Sequence, residues 1–74
     1  MNSSIHKNPA AFQLLTPVTV PADRGDPSYI GQVRSVSDDW YTAITGESYQ
    51  WITVLNPETG RESVWPSNRL SRTN

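Results

Sequence analysis

The chain has no cysteine, one histidine and one lysine. Without thiols, neither a disulfide framework nor a thiolate zinc site can hold so short a chain together. Stability must then come from closing a sheet or from association with another chain. His6 is the sole imidazole and lies among Ser3, Ser4, Asn8 and Pro9, so a histidine-based triad and a histidine-rich metal site are both excluded. Four scattered glycines form no phosphate-cradling loop. Asp38-Asp39 is the one adjacent acidic pair, and neighbours in a turn point different ways, which suits solvation better than shared acid–base work. This inventory predicts no metal, no cofactor and no catalytic residue.

Charge and hydropathy exclude more. Six basic residues against seven acidic ones leave a net charge of −1, without the clustered Lys and Arg that neutralise nucleic-acid phosphates. No apolar run approaches the ~20 residues of a membrane helix, and the first residues lack the charged-then-apolar order of a secretory leader. The expectation is a cytoplasmic protein with no membrane partner. A nucleic-acid-binding small barrel is kept as an alternative that this charge disfavours.

What is present is aromatic and β-branched. Three Trp and three Tyr stand against one Phe and one Met, a set weighted toward rings that favour surfaces and interfaces. A chain of 74 residues makes one small domain, burying only about 60% of its unfolded surface. Residues 1–11 offer no apolar period and read as a disordered tail; 12–74 read as the domain. Phe12 to Val20 brings Leu14, Leu15, Val18 and Val20, but Pro17 and Pro21 exclude a regular central strand, so an edge strand is expected. PADRGDPS (21–28) is a loop, and YIGQVRSV (29–36) a strand in which Gly31 marks a bulge or a sharp bend. Ser37-Asp38-Asp39 is a turn, WYTAIT (40–45) a third strand, and Gly46-Glu47-Ser48 a second turn.

The densest stretch is WITVLNPETGRESVWPSNRL (51–70). Trp51 to Leu55 suits a half-buried strand, Asn56-Pro57-Glu58-Thr59-Gly60 reverses the chain, and Arg61 to Trp65 returns it. Pro66 ends that strand, and a one-turn 3-10 element is expected near Pro66 to Arg69. Helical periodicity with capping appears nowhere, whereas strands recur about every ten residues. The predicted fold is therefore all-β, a small antiparallel barrel of five or six short strands. Its expected core is Val18, Val20, Ile30, Val33, Val36, Ile44, Ile52, Val54 and Leu70.

The run from Trp51 through Thr59-Gly60 to Pro66-Ser67-Asn68 resembles the C-terminal half of an SH3 domain. The resemblance implies an SH3-like barrel in which Trp51 and Pro66 wall a groove for an extended, proline-bearing segment and Asn68 hydrogen-bonds its backbone. It also implies that the 21–28 loop brings Asp23 and Asp26 beside that groove to meet basic side chains. Arg69 stands where the family keeps an aromatic, which exchanges a stacking wall for a donor. A second resemblance, carried by Gly31-Gln32-Val33 and by Trp65-Pro66 through Leu70, Arg72 and Asn74, is to the plasmid-borne trimethoprim-insensitive dihydrofolate reductases. It implies a homotetramer using NADPH, yet the family's catalytic Val-Gln-Ile-Tyr run falls on Glu62-Ser63-Val64-Trp65.

The functional expectation is a non-catalytic binding module that occupies a protein or peptide surface, of the kind an accessory, phage or mobile-element protein would use. Its candidate contact residues are Trp51, Pro66, Asn68, Arg69, Tyr49, Asp23 and Asp26. Strand alternation supports Trp51 independently: if Ile52 and Val54 point inward, Trp51 and Thr53 point out. A large ring left on the surface calls for a partner, either another protein or a second copy in a homo-oligomer.

Overall fold

The computed structural model describes residues 12–73; the expected tail at 1–11, with His6, lies outside them. Among the described residues there are seven strands: β1 (Pro17–Val20), β2 (Tyr29–Val36), β3 (Tyr41–Thr42), β4 (Ser48–Tyr49), β5 (Trp51–Asn56), β6 (Arg61–Pro66) and β7 (Ser71–Arg72). Every pairing is antiparallel. Five strands form one sheet in the order β6-β5-β2-β1-β7, and β3 and β4 pair separately. A 3-10 turn at Ser67–Arg69 joins β6 to β7. The fold is thus small, all-β and antiparallel, as the sequence predicts. The strand count exceeds the expected five or six because three of the strands have only two residues each. The sheet order has two ends, β6 and β7, so hydrogen bonding does not close it into a ring.

The core follows from alternation on the inner face. Val18, Val20, Val33, Ile52 and Val54 are fully buried, and Phe12 and Leu70 complete the cluster, with Tyr29, Val36 and Trp65 packed against it. Two expected core residues are displaced. Ile30 is 55% exposed because it sits opposite Thr19 on the outer side of β2, while its neighbours Tyr29 and Gly31 take the inner positions. Ile44 is wholly exposed, at 107%. The predicted strand at 40–45 stops at Thr42, and Ala43 instead closes a turn through Gly46 N–H to Ala43 O (2.9 Å) and Ala43 N–H to Glu47 O (2.8 Å). Two bonds across four residues leave Ile44 at the tip, where no element covers it.

The β2 irregularity also lies elsewhere than expected. Register shifts between Val33 and Ser35, which pair with Val54 and Thr53 in turn, so Arg34 is the extra residue of a bulge. That bulge returns Val36 to the inner side opposite Ile52. Gly31 has a different role. A Cβ there would collide with Val54 Cγ1 and lie 2.9 Å from Leu55 O, so glycine permits close approach of β2 to β5. β1, expected at an edge, lies between β2 and β7. Pro17 is tolerated as its first residue, where a missing N–H costs least.

No helix among the described residues is long and apolar enough to cross a membrane.

Candidate binding surface

Trp51 opens β5, and its position follows from the chain on both sides. Gln50 is buried with 3% exposure; its side-chain amide donates to Ser37 O at 3.0 Å. Its backbone N–H donates to Ser67 Oγ at 3.0 Å, and Ser67 N–H returns a bond to Gln50 O at 2.8 Å. Ser37 then brackets Trp51, its N–H donating to Trp51 O (2.9 Å) and its Oγ accepting from Trp51 N–H (3.0 Å). Three short polar side chains therefore fix the backbone at the start of β5 against both the end of β2 and the 3-10 turn. With Ile52 held inward, the Trp51 ring is held outward, 39% exposed.

The ring does not stand alone. Tyr49 meets Trp51 edge-on, with centroids 5.4 Å apart and planes at 90°. Tyr41, across the β3–β4 pair, lies 5.9 Å from Tyr49 at 30°. Three aromatic rings thus run in a row from the small hairpin onto the main sheet. Pro66 is the register partner of Trp51, and Val64 that of Thr53, so an apolar strip continues along β6, where Val64 is 59% exposed. Asn68 is exposed on the 3-10 turn, and its amide donates to Glu47 Oε1 at 3.4 Å. That bond ties the turn to the hairpin loop. Arg69 is the exposed last residue of the same turn. Trp51, Tyr49 and Pro66 are therefore assembled together, with the Asn68–Arg69 turn packed beside Tyr49's strand.

Asp23 and Asp26 fall elsewhere. They bond reciprocally, Asp23 N–H to Asp26 O at 3.0 Å and Asp26 N–H to Asp23 O at 2.8 Å. Arg24 (φ 48°) and Gly25 (φ 89°) fill the two central positions, as a type I′ turn requires. Asp26 shares a recess with Tyr29, Asn56, Glu58, Thr59 and Arg61, at the far end of β5 from Trp51. Five residues of strand, roughly 17 Å, separate the two ends. The acidic groups near the aromatic row are instead Asp38 and Asp39, which follow directly on Ser37, and Glu47; all three are exposed.

Sequence reasoning missed Ser37, Gln50 and Ser67, whose short polar side chains carry no pattern until the strands are paired. It also missed Tyr41, although Tyr41 and Tyr49 flank the turn residues at positions that a short hairpin would pair. Among the described residues, no three His, Cys, Asp or Glu side chains converge as a metal site. Comparison with protein-family models, with curated proteins and with solved structures finds no match.

Proposed function

We propose that this chain is a non-catalytic, SH3-like binding module that takes an extended segment of another protein across the Tyr41–Tyr49–Trp51 row. The observation that carries the reading is that row: three rings in successive contact, with Trp51 facing outward on a backbone clamped by Ser37, Gln50 and Ser67. Rigid aromatic side chains with polar handles give large contact area at low entropic cost, and they dominate binding energy where they cluster. Pro66 extends the apolar floor, and the exposed Asp38, Asp39 and Glu47 supply negative charge near the row. A proline-bearing segment with Arg or Lys flanking it matches that chemistry, because its extended backbone is largely preformed. Arg69, exposed on the 3-10 turn, offers a donor to the segment's carbonyls.

The test is a titration of the isotopically labelled protein with a peptide carrying prolines and two arginines, followed by NMR. The expected result is saturable shifts at the Trp51 indole and at the amides of Tyr41, Tyr49, Asp38 and Asp39, with the Asp23–Asp26 turn unmoved. Shifts centred on Asp26 and Arg61, or none at millimolar peptide, contradict the assignment.

A further inference from the structure

We infer that the chain associates with a second copy of itself through the unpaired edge of β6, antiparallel about a two-fold axis at Val64. β6 ends the sheet order, paired on one side only. The direction of its free backbone groups follows from the pairing phase. Ser67 N–H donates to Gln50 O, and Trp51 exchanges bonds with Ser37 on the opposite side of β5. Trp65, Ser63 and Arg61 therefore direct their peptide groups toward Ile52, Val54 and Asn56. Glu62 and Val64 then aim N–H and C=O away from the sheet, and Pro66 aims its C=O the same way. Such an edge is a template for another strand.

The edge can pair with its own copy, and its side chains select the register. Self-pairing about Glu62 would set two carboxylates opposite one another, which is unfavourable. Pairing about Ser63 would set Glu62 against Val64 and forgo the contact of two β-branched side chains across the axis. Pairing about Val64 sets Val64 against the second copy's Val64 and Glu62 against its Pro66. Each Val64 N–H then reaches the opposite Val64 C=O, and each Glu62 N–H reaches a Pro66 C=O, while proline, having no N–H, leaves the Glu62 C=O to solvent. Every free N–H of the edge is satisfied, and no like charges meet. Glu62 is already engaged on the outer face, 3.9 Å from Arg34, which leaves the exposed Val64 side chain as the feature at the axis. The pairing would also shelter a fold whose buried core, among the described residues, is seven apolar side chains, few enough for association to matter. The two Trp51 residues would lie on one continuous sheet, giving a bivalent surface.

The experiment is sedimentation of the full chain over a range of concentrations, alone and with substitutions at position 64. Wild type is expected to approach twice its 8.3 kDa mass. Val64→Lys and Val64→Glu, each folded by circular dichroism because the site is exposed, should each weaken association at least tenfold. An equimolar mixture of the two should restore it, since each lysine then faces a glutamate across the axis. A wild type that stays monomeric at every concentration, a dimer indifferent to Val64→Lys, or a mixture no tighter than either variant alone overturns the proposal. Peptide binding at Trp51 is measured separately, so either reading can fail without the other.

Discussion

At the scale of single residues, Gly31 and Val54 make one packing unit. Because a Cβ on residue 31 would strike Val54 Cγ1, Gly31→Ala should destabilise the protein by about 1–3 kcal/mol through overpacking. Val54→Ala should cost a similar ~1–3 kcal/mol through lost burial and a cavity. The double variant should lose clearly less than the sum, since alanine at 54 withdraws the atom that alanine at 31 would meet. Chemical denaturation of the three variants checks this, and strict additivity would show that the two sites do not touch. Ile44 gives the opposite test. Exposed at a turn tip, it should tolerate Ile44→Ser within about 0.5 kcal/mol, whereas a core isoleucine would lose several times that.

At the scale of elements, the sequence shows most where alternation is unbroken. β5 and β6, with the turn between them, are readable residue by residue, since Trp51 to Leu55 alternates cleanly and Gly60 (φ 75°) supplies the positive φ that closes the reversal. β2 is harder to read. Its inner face begins with Tyr29 and a glycine, so Ile30 passes for a core residue, and the spacing of Val33 and Val36 reflects a bulge at Arg34. The WYTAIT run has strand propensity throughout, but only two of its residues find a partner, because the connection turns back at Ala43. The site was half legible. Trp51 and Pro66 follow from local pattern, whereas the clamp of Gln50, Ser67 and Ser37 joins residues up to 30 positions apart. The clamp can be tested as a unit. Ser67→Ala leaves the Gln50 N–H without its side-chain acceptor in a buried position, at a cost of about 1–3 kcal/mol. It should also broaden the NMR signal of the Trp51 indole. A variant with native stability and an unchanged indole would mean that the clamp does not position the ring.

At the scale of the whole molecule, the described residues form an open five-stranded sheet on a small core with a separate two-stranded hairpin. Phe12 belongs to that core, and Arg72 lies over its ring at 5.5 Å. Deleting residues 1–11 should therefore leave the thermal midpoint within a degree or two, whereas extending the deletion through Phe12 should lower it by several degrees, as expected for 1–2 kcal/mol in a domain this size. Equal midpoints for the two truncations would remove Phe12 from the core. Saturable NADPH binding by a tetramer would support the reductase resemblance instead and would require a site other than the aromatic row.

The central claim is that Trp51 is held outward for a partner and contributes little to folding. Trp51→Ala separates these roles when stability and affinity are measured on the same preparation. The account predicts a denaturation midpoint close to wild type together with a loss of about 2 kcal/mol or more in affinity for the proline- and arginine-bearing peptide, roughly thirtyfold in Kd. A variant that loses stability by that amount while retaining its affinity would show that the ring is a lid on the core, and would contradict the binding site.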